Sequence, residues 1–416
     1  MIFMWKQLLI CYIFLLVSFT SFIILVHLIP TKYLVRNIFQ SAQQIENEGI
    51  FKKIGNIYLL QIDNMTDCMM MNMAATADEH HPVVSALNNY YSCNSIDEGY
   101  KNMALNTIQL TEKGSESLSE HIHYGRYWQG IQVFLRPLLM IADYSTIRII
   151  NFIMLSALLL VLLWLMMIHF GWTVSIFFLI SLLLVGVPVV PLSIQLSVCF
   201  YLMLLYSIYI IQLKKIDYVF LVFFVMGAIT SYFDFLTVPQ ITLGIPLTLF
   251  LLKNKVKNTY QYIILLSLSW LGGYALLWSS KWMIAYLLTG NEIVDTITSS
   301  ISLRLSDSVV FHGAKIPIED LILLLLSKIR WWMILLVSTV IAFLSFIYYR
   351  LQKGKAIIYR YSWLLLIALI VPVWFLVLRN HTVQHIFFTW RAVLVILFSL
   401  SLFIYYTIRK EENYES

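Results

Sequence analysis

Apolar runs recur along the chain, most about 20 residues long and able to cross about 30 Å of hydrocarbon. They fall at 7–29, 145–168, 171–187, 190–213, 217–232, 235–252, 259–280, 329–349, 361–378 and 387–408. Each run is continuous rather than alternating, which predicts helices and excludes a β-barrel. The expected fold class is all-α: a polytopic membrane protein of ten transmembrane helices. One long polar stretch interrupts the pattern. The organisation expected is therefore a first span over 1–29, a loop domain over 30–144, a helical bundle over 145–408 and a tail over 409–416.

The polar stretch has a pattern of its own. Tyr33, Leu34, Ile38 and Phe39 predict an interfacial helix over Thr31–Ile45. Ile57–Ile62 is a short apolar run, strand or helix. Asp67–Ala77 is rich in Met and Ala and reads as helix, and Asn88–Glu120 reads as loop. His123–Gly130 carries aromatics and an arginine, and Ile131–Ala142 contains Arg136-Pro137; both mark a return to the membrane interface.

Charge then orients the spans. Lys214-Lys215, Lys253/Lys255/Lys257, Arg350/Lys353/Lys355/Arg360 and Arg409-Lys410 alternate with connections at Gly186–Pro191 and Ser231–Phe235 that hold no Lys or Arg. The positive-inside rule puts the basic loops and both termini in the cytoplasm of a multi-pass cell-membrane protein. The loop 30–144, the turn at Asp234, the loop 281–328 and the His381/His385 turn then share the external face. With 60% hydrophobic and 12% charged residues the chain is no soluble domain, so the net charge of +6 is read through topology and not as a nucleic-acid signal. Of four cysteines, Cys68 and Cys93 fall in the external loop, where a disulfide is one outcome.

Candidate chemistry gathers on that face. Asp63 and Asp67 are four apart and would share a helix face, as a base or as a divalent-cation pair. The bland alternative is a cap: Asp63 or Thr66 suits the start of the next helix. Asn64-Met65-Thr66 matches the glycosylation sequon. Asp234 stands between two apolar runs, where a carboxylate is costly unless paired, although a helix cap explains it as well. His381 and His385 are also four apart, with Asn380 before them and Arg391 after. Arg126, Arg136, Lys281, Arg379 and Arg391 stand at expected outer helix ends and suit phosphate, or snorkel singly. Tyr127, Trp128, Trp282, Trp331 and Trp332 suit the interface belt or stacking on a sugar. No spacing specifies a metal site, and no His-Glu-x-x-His, Gly-x-Ser-x-Gly or phosphate-binding glycine loop occurs.

This layout resembles the GT-C superfamily of integral-membrane glycosyltransferases: a first span, a large first external loop with membrane-lying helices, then many spans. His123–Leu139, Tyr232–Pro246 and Asn380–Arg391 also look like segments of bacterial membrane proteins of surface-polysaccharide type. The resemblance implies a polyprenyl-phosphate-linked sugar donor, a glycan or lipid-linked acceptor, no required cofactor and an optional divalent cation. It implies Asp63 or Asp67 as base, Asp234 in support, and Arg126, Arg391 and the histidines on the lipid phosphate. The chain departs from that family's pattern in one respect: Glu46 and Glu48 are its first acids, and Asp63 stands some 34 residues past the end of the first span, where the family's catalytic acid follows that span closely. Three other readings stand beside this one: a transporter or flippase of lipid-linked saccharide, an external polymerase or acyltransferase using the histidines, and an assembly protein. Segments 155–168, 174–185 and 196–211 hold no charge, which weighs against a charged transport route.

Overall fold

The computed structural model describes residues 2–95, 100–254, 256–290, 292–305, 308–311, 314–317, 319–320 and 359–408. It is mostly helical. Among the described residues, six helices are long and apolar enough to cross a membrane: Lys6–His27, Tyr144–Phe170, Ile194–Gln212, Thr259–Thr289, Tyr359–Val377 and Ile386–Ile408. Three expected spans are shorter helices, α8 (Trp172–Leu184), α10 (Val219–Phe233) and α11 (Gln240–Lys253). The 13 residues of α8 rise about 20 Å, less than the hydrocarbon they were expected to cross. The expected span 329–349, with Trp331 and Trp332, lies outside the described residues.

The membrane-type helices surround α11, whose residues from Gln240 to Leu251 are all buried. A helix apolar on every side belongs inside a bundle. Around it stand α7 (Tyr144–Phe170), α9 (Ile194–Gln212), α10 and α12 (Thr259–Thr289). The helices α10 and α12 cross backbone to backbone. A Cβ added at Gly227 would fall 1.9 Å from the Trp270 carbonyl oxygen, and one at Gly273 would fall 1.9 Å from that of Phe224. Only residues without a side chain allow this approach.

The polar stretch folds on one end of the bundle. After α1 (Ile2–His27), α2 (Val35–Glu48) buries Ile38, Ser41, Ala42 and Ile45, a stripe at helical spacing. Then come α3 (Asn64–Thr76) and α4 (Pro82–Asn88), the latter with proline in its first turn. Next are β1 (Tyr90–Cys93), α5 (Met103–Lys113), β2 (Glu120–His123) and α6 (Gln132–Leu139). The strands pair antiparallel, Tyr90 opposite His123. Ser308–Phe311 also pairs antiparallel with Ala314–Pro317, so among the described residues the fold is helical with two small two-stranded sheets. Helix α5 falls where a loop was expected, because its buried face holds only the apolar Met103, Ala104 and Leu110 beside the polar Asn106 and Thr107. The run Ile57–Ile62 resolves into a 3₁₀ turn over Tyr58–Leu60.

The connections expected on the external face do meet the polar stretch. Gly186 packs on Leu60, Gly130 N–H donates to the Tyr232 carbonyl (3.0 Å), and Trp390 Nε1 donates to the Leu59 carbonyl (3.0 Å). At another turn, Lys253 Nζ donates to the carbonyls of Ile211 and Leu213, the orphan acceptors at the end of α9.

Three expectations change here. Cys68 and Cys93 are buried and free, and Cys68 Sγ donates to Thr107 Oγ1. Asn64 is fully buried and donates to Glu48 and the Gly49 carbonyl, so its sequon faces inward. The helix α12 continues to Thr289, which puts Lys281 inside a helix and not in a loop.

Candidate functional site

A cavity of about 360 Å³ lies at the seam between the polar stretch and the bundle. The N-terminus of α3 supplies one wall, the Tyr124–Tyr127 turn a second, the Phe235–Thr237 turn a third, and the Asn380–Phe388 segment a fourth. Gln195, at the start of α9, completes it. Six of the residues singled out from the sequence line it: Asp63, Arg126, Tyr127, Asn380, His381 and His385.

Asp63 is the N-cap of α3; its carboxylate accepts from Thr66 N–H (3.1 Å). It is also 1% exposed. Burial therefore pushes its carboxyl up to about 6, and the charge of Asp67 adds to this, against the pull of the Thr66 hydrogen bonds and of Arg391. A carboxyl of this kind is ionised at neutral pH and still basic enough to take a proton. The carboxylate that caps α3 thus also lines the cavity.

Arg126 faces this wall. Its guanidinium lies 4.0 Å from the Tyr124 ring centre, and its buried Nε has no partner. The indole N–H groups of Trp278 and Trp282 donate to its carbonyl (2.7 and 3.0 Å), which fixes the turn. Tyr127 stacks between Phe235 and Trp278, with ring centres 5.3 and 5.8 Å away. The rings of His381 and His385 are 4.7 Å apart, so their spacing does bring them together although the helix breaks at His385. His381 Nε2 donates to the Leu236 carbonyl (2.9 Å). Among the described residues, no group of three or more His, Cys, Asp or Glu stands together to hold a metal ion.

Asp67 and Asp234 are not aimed into the cavity; both carboxylates are taken up by protein donors. Asp67 accepts from Tyr144 Oη (2.5 Å), Ile194 N–H (2.8 Å) and Gln195 N–H (2.9 Å). It caps α9 from another element, where Ser193 gives no side-chain cap. Tyr144 also meets Arg148, whose guanidinium grips Glu48 (2.8 Å), Asn64 (2.7 Å) and the Leu192 carbonyl (2.7 Å). This polar web joins α2, α3, α7 and α9. Asp234 ends α10 and accepts from Leu236 N–H, Thr237 N–H and Thr237 Oγ1 (2.9, 2.9 and 2.5 Å). The turn it holds carries Leu236 at φ +65°, a left-handed conformation that costs a branched side chain of order 1–2 kcal/mol. That conformation presents the carbonyl that orients His381.

Four other expected ligands lie away from the cavity. Arg136 is fully buried and donates to the carbonyls of Val26, Ala74 and Ile29, two of which close the end of α1. Lys281 is fully buried and donates to the Leu87 carbonyl. Trp128 Nε1 donates to the Leu277 carbonyl (2.8 Å). Arg391 donates to the Phe387 carbonyl (2.7 Å) and reaches that of Leu59 (3.5 Å) behind Asp63. The three cations were expected at helix ends, and buried backbone carbonyls claim such cations first; Trp128, expected in the interface belt or against a sugar, is held inside the fold instead.

Gln195, Tyr124, Phe235 and Thr237 were missed. The signal for Gln195 was a lone amide at the head of an apolar run, and for Thr237 the hydroxyl three residues after Asp234. No family model, curated protein or solved structure matches the chain.

Proposed function

We propose that the chain is a membrane glycosyltransferase. It transfers a sugar from a polyprenyl-phosphate-linked donor to an acceptor on the external face, in surface-polysaccharide or cell-envelope glycan synthesis. The observation that carries this reading is the pairing of a buried, proton-accepting Asp63 with Arg126 and the two histidines around one cavity at the seam of the bundle. Asp63 takes the proton of the acceptor hydroxyl as its oxygen bonds the anomeric carbon. The bond from that carbon to the phosphate oxygen breaks, and the polyprenyl phosphate leaves with the electron pair. Arg126 and the histidine pair stand where that negative charge develops. Asp67 and Asp234 act as positioning residues. The reading carries with it the ten-span topology, the external loop domain and the cytoplasmic basic loops, and it is supported by the GT-C-like order of long helix, polar stretch and bundle. A nucleotide-binding fold is not needed, because the donor arrives through the membrane.

The test is donor consumption in liposomes holding the protein, a panel of polyprenyl-phosphate sugars and acceptor lipid extracted from the source membranes. The wild-type protein releases free polyprenyl phosphate at a rate that rises through about pH 6 and levels above it, as a base of that pKa requires. Movement of a donor across the bilayer without its cleavage would establish the transporter instead.

A further inference from the structure

Gln195 is 0% exposed, lines the cavity, and has no partner for either Oε1 or Nε2. Leaving one such buried group unpaired costs about 1–3 kcal/mol. A side chain of that cost is retained for something the cavity receives. Its position is also fixed: Asp67 Oδ1 holds the Gln195 backbone N–H (2.9 Å), and the helix it starts is buried along most of its length.

The chemistry of the amide narrows the ligand. A primary amide offers one acceptor and one donor side by side in a plane. A phosphate only accepts, so it would leave Oε1 unpaired and facing negative charge. A pair of vicinal hydroxyls donates and accepts in the same arrangement. The Arg126 guanidinium differs: it offers donors only, as an anion requires. We infer that Gln195 reads a vicinal hydroxyl pair on the transferred sugar, while the Arg126 wall takes the phosphate, so that the cavity has a sugar end and an anion end. This rests on the glycosyltransferase reading and assigns the specificity-determining residue within it.

The experiment titrates the reconstituted full chain with citronellyl phosphate and with its glucosyl, galactosyl and mannosyl esters. Wild type binds at least one ester more tightly than the bare phosphate. Gln195→Leu loses that gain, weakening the ester by about 10- to 100-fold, with citronellyl phosphate unchanged. Its Tm stays level or rises, because an apolar group replaces an unpaired amide of similar size; Gln195→Met repeats the comparison if the leucine does not fold. The inference is overturned if both variants bind the ester as wild type does, if ester and bare phosphate weaken together, if neither variant folds, or if wild type does not distinguish ester from phosphate. Those outcomes leave the donor class standing. Failure of wild type to bind any isoprenoid phosphate overturns both.

Discussion

Asp63 and Asp234 look alike in the sequence and do different work in the fold. Asp63 has its cap hydrogen bond and a cavity beside it. Asp234 accepts from five donors, the Thr237 hydroxyl closest. Their stability effects should therefore have opposite signs. For Asp63 the folded pKa is raised, from about 4 to about 6. The native state then binds more protons than the unfolded chain between those values, so stability is highest in acid and falls as pH rises through that window. At pH 7.5 the neutral Asp63→Asn, which keeps its N-cap, relieves at most about 3 kcal/mol, less whatever Arg391 loses with its neighbouring charge. Asp234→Asn instead sets an amide against N–H and O–H donors and costs about 1–3 kcal/mol. Its Tm and transfer rate should fall together in thermal unfolding and donor-consumption assays. A lost rate at unchanged Tm would return Asp234 to the chemistry.

At the scale of elements, the crossing of α10 and α12 depends on Gly227 and Gly273. Gly227→Leu cannot keep the contact with the Trp270 carbonyl, and separating the helices should cost at least about 2 kcal/mol. A lower Tm checks this; an unchanged Tm would mean that the crossing is not as close as described. Among the described residues, the positions of the membrane-type helices were legible from continuous apolar runs, and so was the convergence of the uncharged connections on the polar stretch. Helix lengths were not. Hydropathy marks where a segment is apolar, whereas α12 runs on past Lys281 because that ammonium is buried against the Leu87 carbonyl. The helix α5 was hidden because its buried face is interrupted by Asn106 and Thr107, whose polar groups are paired inside the domain. Arg148 was hidden inside an apolar run, although it joins the web between Glu48, Asn64 and Tyr144.

For the whole molecule, the candidate site is a seam, and this explains what the sequence disclosed of it. Asp63, Arg126, Asn380 and the histidines were visible because polar groups beside apolar runs stand out. Their roles were not, because a cation or carboxylate at a helix end is claimed either by the backbone or by the cavity, and only packing decides which. Arg136 went to three carbonyls; Arg126, propped on Tyr124, did not. The seam also makes the orientation testable. In intact cells a membrane-impermeant thiol reagent should label a cysteine placed at Glu116, and should label one at Lys215 only after permeabilisation. The native Cys68, Cys93 and Cys199 are buried and Cys11 lies within α1, so the background is low. Labelling of both sites from outside would break the proposed topology.

The central claim is that Asp63 is the proton acceptor. The measurement that tests it most directly takes transfer rate and Tm on the same preparations of wild type and Asp63→Asn at pH 7.5. The account predicts a rate lower by about 100-fold or more, with a Tm equal to or above that of wild type. A rate within a few-fold of wild type, in a variant that folds as well, would contradict it.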